Sequence, residues 1–305
     1  MAFTAKDVQA LREMTGVGMM DCKKALTEAD GNMDKAVELL REKGLAASQK
    51  KAGRIAAEGM AYAGVIDGVG VVVEVNAETD FVAKNEKFVD FVKGVAATVV
   101  ANKPADLDAL MECKYAGTDL TVTQQQQEMV LVIGENIKVR RFAFFTEGVC
   151  VPYIHAGGKI GVLVNLETSL SAEQVETVGK DVAMQIAALN PRFWDKSQVT
   201  QDVLDEEKKI MMVQMENDPK MASKPEQVRE KIVMGKLNKF YAENCLLQQE
   251  FVKDGSMTVE QYIASAAKAA GGSITFKNAV RFEKGEGIEK KQEDFAAEIA
   301  SMVKG

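Results

Sequence analysis

The sequence predicts an α+β protein: a small unit of three helices, then two duplicated α+β subdomains, the second interrupted by a helical hairpin. Three observations predict it. Helical periodicity with capping residues fills the first 45 or so positions. A strand-then-helix pattern occurs twice further on. Between the second helix and the last strand, a polar, helical stretch has no counterpart in the first copy.

In the three-helix unit (1–47), Thr4 caps a helix carrying Val8, Leu11 and Met14 that stops near Gly16. Met19, Cys22 and Leu26 mark a second helix, and Asn32 caps a third, with Met33, Ala36, Val37 and Leu40 inward and Gly44 past its end. Met19 and Met20 are adjacent and cannot both face one core, so one of them is expected at the surface. Residues 48–57, small and basic from Ser48 to Arg54, read as a linker.

Subdomain N (58–143) contains a β-branched strand at Gly70-Val71-Val72-Val73-Glu74-Val75-Asn76, preceded by a hairpin turn within 64–70. A helix follows from about Asn85 to Ala101, with Phe88, Val89, Val92, Ala96 and Val99 at helical spacing. Between strand and helix lies Thr79-Asp80-Phe81-Val82-Ala83-Lys84-Asn85. The local pattern allows Phe81 to fold back as a hydrophobic staple on its own helix, or to face solvent, where loops carry function.

Subdomain C (144–285) repeats the scheme. Gly161-Val162-Leu163-Val164-Asn165-Leu166-Glu167-Thr168 resembles the first strand, and Val175–Leu189 is its helix. Asn-Lys-Pro closes the first helix at Pro104, and Asn-Pro closes the second at Pro191. A second pair of similar strands lies at 135–142 and 274–282. The first pair is offset by 91 residues (70 to 161), the second by 141 (140 to 281), so copy two holds an insertion of about 50 residues. It falls at about 197–247, with one arm marked by Val203, Ile210 and Val213, the other by Val228, Ile232, Leu237 and Phe240. Pro219 and Pro225 break the helix between them. Thr258 and Gln261 form a capping box for a short later helix. A C-terminal amphipathic helix over 286–305, with Ile288, Phe295, Ile299 and Met302, closes the chain.

Composition excludes several functions. With a net charge of −7 and a pI near 5.1, the chain lacks the clustered cations of a phosphate-backbone binder. Cys22, Cys113, Cys150 and Cys245 are far apart, and with one histidine they make no recognisable zinc site. They read as reduced, mostly buried thiols. The N-terminus lacks the apolar core of a signal peptide, and no apolar run is long enough to span a membrane, so a cytoplasmic protein without membrane partners is expected.

The glycines of 64–70 precede a strand rather than join a strand to a helix, so they form no dinucleotide loop, and no GxxxxGK[ST] segment occurs. Cys150 and His155 are close in sequence but lack an orienting group and an anion hole. The carboxylates are expected on helix surfaces without a converging pair. No enzyme chemistry, metal, cofactor or nucleotide site is expected.

The stretch Leu11-Arg12-Glu13-Met14-Thr15-Gly16-Val17-Gly18-Met19-Met20-Asp21-Cys22-Lys23-Lys24-Ala25-Leu26 resembles the N-terminal signature of the translation elongation factor Ts family. Residues 79–85 match that family's second signature, and 133–137 and 281–290 match later blocks in the right order. The resemblance implies a ubiquitin-associated-like three-helix domain, a duplicated core, a coiled-coil hairpin and a C-terminal helical module. It also implies guanine-nucleotide exchange on the GTPase elongation factor Tu, in its GDP-bound and nucleotide-free forms. By that resemblance Asp80 and Phe81, with Thr79 and Val82, reach the partner's nucleotide-binding domain. Further contacts come from Arg12, Met19, Met20, Lys23, Lys51, Ile133, Gly134 and His155. The segment 190–251 matches the family least, which leaves a homodimer of the complex open. The second copy carries Thr168-Ser169-Leu170 where the first has Thr79-Asp80-Phe81, so the acid and the aromatic are not requirements of the repeated fold. Two other readings remain at this level: an adaptor whose three-helix domain binds ubiquitin-like partners through Met19-Met20, and a thiol enzyme centred on Cys150 and His155.

Overall fold

A computed structural model describes residues 3–289. Helices α1 (Ala5–Thr15), α2 (Met19–Glu28) and α3 (Met33–Lys51) enclose a core of Val8, Leu11, Cys22, Leu26, Ala36 and Leu40. Thr4 and Asp7 form a capping box, Gly16 ends α1 in the left-handed region, and Asn32 caps α3. Gly44 is not past the end of α3; it is buried within it. A β-carbon there would stand 3.3 Å from the Gln127 carbonyl of helix α7 (described below), so the missing side chain lets two backbones approach closely. With Ala46, Ala47 and Ser48 offering no breaker, α3 runs on to Lys51, through the first part of the expected linker.

Next come β1 (Glu58–Ile66), β2 (Val69–Ala77), α4 (Asp80–Ala83), α5 (Glu86–Asn102), α6 (Leu107–Glu112), α7 (Val122–Ile133) and β3 (Lys138–Phe145). The expected hairpin turn lies between β1 and β2, with Asp67 and Gly68 both at positive φ, which matches the twist of the strands it joins. Neither α6 nor α7 was read from the sequence, although Thr121 and Gln124 form a capping box at the start of α7. The third strand begins at Lys138 rather than Glu135, because Glu135 and Asn136 are engaged elsewhere.

The second subdomain comprises β4 (Val149–His155), β5 (Ile160–Thr168), α8 (Ala172–Leu189), α9 (Gln201–Glu216), α10 (Pro219–Ala222), α11 (Glu226–Asn244), β6 (Glu250–Phe251), β7 (Asp254–Thr258), α12 (Val259–Ala270) and β8 (Ile274–Glu283). Helices α9 and α11 form the inserted hairpin. Its base is stitched by Phe193 and Asn244, then by Leu246 and Leu247 donating to the carbonyls of Phe193 and Trp194.

The two three-stranded sheets share one topology. Both sheets are antiparallel, in the orders β1-β2-β3 and β4-β5-β8, and each has a register shift at the matching place on its central strand, opposite which the third strand carries an extra residue. The first shift lies between Glu74 and Val75 on β2, the second between Asn165 and Leu166 on β5. Both long helices end on a left-handed residue before proline, Lys103 and Asn190. The sheets pack face to face through Ala61, Ala63, Val72, Leu163 and Phe282. Helix α5, with α6 and α7, covers the outer face of the first sheet; α8 and α12 cover that of the second.

Not every carboxylate lies on a helix surface: Glu74 sits on β2, between the sheets. Glu74 is fully buried and pairs with Arg140 at 2.9 Å and Arg141 at 2.5 Å. It also accepts the Gly285 N–H at 2.8 Å and an amide hydrogen of Asn76. The bulge in β3 explains the geometry, since an extra residue lets consecutive arginines reach the same carboxylate. Arg141 continues to Glu286 at 2.9 Å and lies over the Phe282 ring. Of the helix expected over 286–305, residues 290–305 lie outside the described residues. Residues 286–289 are not helical, with Gly285 and Gly287 at positive φ in the turn that approaches Glu74.

Removing one partner of a buried ion pair strands the others. Glu74→Ala is expected to lower the free energy of unfolding by about 3–5 kcal/mol, read from urea denaturation. A loss below about 1 kcal/mol, the worth of an exposed pair, would contradict it.

Candidate functional site

The site is built where β2 leaves the sheet. Thr79 is the N-cap of the one-turn helix α4, its hydroxyl accepting the Val82 N–H. Val82 and Ala83 are buried and anchor the turn from below, whereas Phe81 is 79% exposed. The staple reading therefore fails: the phenyl ring lies on no core of its own. Asp80 beside it is exposed and pairs with Lys84 at 3.3 Å, one turn on.

A carboxylate holds the turn from behind. Glu135 accepts the N–H groups of Glu78 (3.1 Å) and Thr79 (3.0 Å) on one oxygen and the Thr79 hydroxyl (2.7 Å) on the other. The exchange is mutual, for Glu78 accepts the Asn136 N–H at 2.6 Å and approaches Arg54 at 3.5 Å. The Asn136 amide in turn donates to the Arg54 carbonyl at 2.8 Å. Gly134, at φ 87°, makes the turn out of α7 that aims Glu135 this way.

Several of the residues singled out by sequence meet here. Arg12, Thr79, Phe81, Val82 and Ile133 line one cleft of about 530 Å³ with Gly16, Asn85, Lys87 and Glu135. An adjoining cleft is lined by Arg12, Met19 and Lys87. The Lys51 ammonium lies beside Gly134, 3.9 Å from where a β-carbon would stand. Both Met19 and Met20 are exposed, 42% and 63%, rather than one of the two. The tight Gly16-Val17-Gly18 turn buries Val17 in their place. Lys23 is exposed on α2, away from the cleft lining.

His155 sits apart, at the end of β4 in the second subdomain, with its Nδ1 3.0 Å from the Tyr153 hydroxyl. The turn after it packs Gly158 on Met60, near the end of the sheet where β2 runs into Thr79. Cys150 faces the other side of β4, against Gly70 and Leu163, and burial pushes its thiol up. The strand thus separates thiol and imidazole, and the thiol-enzyme reading has no geometry to stand on. Among the described residues no group of three or more His, Cys, Asp or Glu is arranged to hold a metal, and no helix is long and apolar enough to cross a membrane.

Sequence reasoning missed Glu135, Glu78 and Lys87. Glu135 stood inside a stretch read as strand. Lys87, whose ammonium donates to the Gly16 carbonyl at 3.3 Å, had no local signal, because its partner lies 71 residues away.

A family model described as elongation factor TS matches residues 78–286, which span this loop, the third strand of the first sheet, the whole second sheet and the hairpin. The chain belongs to the elongation factor Ts family. It is 50% identical to the elongation factor Ts of Syntrophotalea carbinolica over 308 residues, covering all of both chains. It is 48% identical to that of Clostridium kluyveri, covering 99% of each, and 50% identical to that of Trichlorobacter lovleyi, again covering 99% of each. The family is one of translation elongation.

Two outcomes follow for the free protein. Because the Phe81 ring buries little, Phe81→Ala is expected to leave the unfolding free energy within about 0.5 kcal/mol of the parent, against the several kcal/mol of a core truncation, as calorimetry would reveal. Burial raises the thiols of Cys22, Cys150 and Cys245, the last to about 11. A raised value keeps the thiol protonated, so at about pH 8 a disulfide reagent is expected to modify Cys113 first; rapid labelling of Cys150 would contradict this.

Proposed function

We propose that the chain is a guanine-nucleotide exchange factor for elongation factor Tu. It binds the GDP-bound GTPase, loosens the contacts that hold Mg²⁺ and phosphate, and so promotes GDP release and GTP entry. The single observation that carries this reading is the fixed, exposed Phe81 on the family's own signature. A ring held outside its own core is free to fill a partner's pocket. Asp80 and Phe81 reach the partner's nucleotide-binding domain, where the phenyl wedges between side chains near a switch helix.

Burying such a ring contributes roughly 1.5–3 kcal/mol, and a thousandfold faster release needs about 4 kcal/mol of differential contact. One anchor is therefore not enough. Thr79, Val82, Arg12, Met19, Met20, Lys23, Lys51, Ile133, Gly134 and His155 supply the remainder. The three-helix unit acts as the ubiquitin-associated-like domain of the family, and the hairpin as its coiled coil. No bond is made or broken: the factor favours the nucleotide-free partner, and by reciprocity GDP or GTP weakens its own binding equally.

Release of fluorescently labelled GDP from elongation factor Tu tests this. The chain at micromolar concentration should accelerate release, and Phe81→Ala should slow it by about tenfold or more, the loss expected for an interface anchor above 1.4 kcal/mol. No acceleration by the parent would overturn the reading. Cys150→Ser should release GDP at the parent's rate.

A further inference from the structure

We infer that Glu135 is a positioning residue for exchange: its carboxylate holds the strand exit at Glu78–Thr79 so that α4 presents Asp80 and Phe81 in one orientation. This rests on the exchange reading above and adds to it a residue that need not touch the partner.

The shared topology of the two sheets supplies the argument. In the second copy β5 ends at Thr168 as β2 ends at Ala77, so Ser169 stands where the first copy has Glu78. There the Thr168 hydroxyl donates to the Ser273 carbonyl at 2.7 Å, and the Ser169 N–H donates to the same oxygen. Ser273 lies just before β8, as Glu135 lies shortly before β3. The repeated fold therefore needs only a neutral backbone acceptor at this place. The first copy installs a carboxylate with two oxygens instead, and only the first copy follows it with a helical turn carrying an exposed aromatic. By accepting the hydrogen bond that the Thr79 hydroxyl donates, Glu135 also leaves that oxygen's lone pairs to the Val82 N–H, which closes α4. Hydrogen bonds to an ionised acceptor are about twice as strong as neutral ones. The chain thus spends a half-buried charge on a turn that contributes little core.

If the turn loosens so that the presenting form falls to about a tenth of the population, apparent affinity for the partner falls about tenfold. The GDP-release assay should therefore show Glu135→Ala slowed about tenfold, and Glu135→Gln, which keeps one acceptor, intermediate. The deciding arm is the double variant. In a Phe81→Ala background, Glu135→Ala should slow release by clearly less than tenfold, since Asp80 remains to be presented but the ring does not. An unchanged rate for Glu135→Ala alone would overturn the inference, as would the same fold-loss in both backgrounds. Should Glu135→Ala fail to show a cooperative melt, Glu135→Gln carries the same comparison. Should the parent itself fail to accelerate release, the exchange reading falls. Amide hydrogen exchange of the free protein then decides whether Glu135 orders the turn: faster exchange at Val82, Lys84 and Asn85 in Glu135→Ala supports it, and unchanged exchange overturns it.

Discussion

The architecture turns on one buried carboxylate. Glu74 lies between the two sheets, where an unpaired charge would cost several kcal/mol, and its partners come from both subdomains. Arg140 and Arg141 belong to the first sheet; the Gly285 N–H and, through Arg141, Glu286 belong to the end of the second. The apolar layer between the sheets is small, built largely of alanine and valine with one leucine and Phe282. Apolar contacts are non-directional and by themselves leave room for sliding. A charge that must meet two guanidinium groups and one particular N–H does not. The ion cluster sets the register of one subdomain on the other, and the hydrophobic layer fills in around it.

That register reaches the loop proposed as the site. Glu74 and Thr79 share the same strand and its exit, so fixing the strand fixes where α4 starts. On the other side, α3 packs on α7 at Gly44, and Lys87 donates to the Gly16 carbonyl. The three-helix unit is thereby locked against the element that carries Ile133, Gly134 and Glu135. Arg12 and Phe81 come to line one cleft although 68 positions separate them in the chain. A surface assembled this way loses little conformational freedom on binding, so more of its contact energy is expressed as affinity.

Much of this was legible in the chain. Caps at Thr4, Asn32 and Thr258, the hairpin turn before β2 and the prolines of the insertion are local signals, and they fix the elements they mark. The likeness of the two sheets was legible because both central strands are near-continuous apolar runs, as strands buried on both faces are. What escaped was decided by partners distant in sequence. Gly44 looks like a helix terminator until α7 is laid against it. Helix α7 carries a run of four glutamines, and its apolar residues are split between two cores: Val122, Met129 and Val130 go to the first subdomain's, Leu131 and Val132 to that of the three-helix unit. The convergence of Glu74 with two arginines depends on a bulge, and nothing in the alternation of β3 announces an extra residue.

The exposed aromatic is the sharpest case of that division. Sequence placed Phe81 at a helix start and left two fates open, because a staple and an anchor have the same local spacing. Its orientation is set by Thr79, Val82 and Ala83, and Thr79 is in turn set by Glu135, 56 residues on. A flexible loop would let the ring collapse onto the nearest apolar surface, since the ring gains free energy wherever it is buried. Keeping it in solvent requires that its backbone be held more strongly than the ring is attracted inward. Two buried anchors and a charged triple acceptor provide that hold. The loop therefore works against the hydrophobic effect locally, and the attraction it leaves unsatisfied is what a partner's pocket can collect.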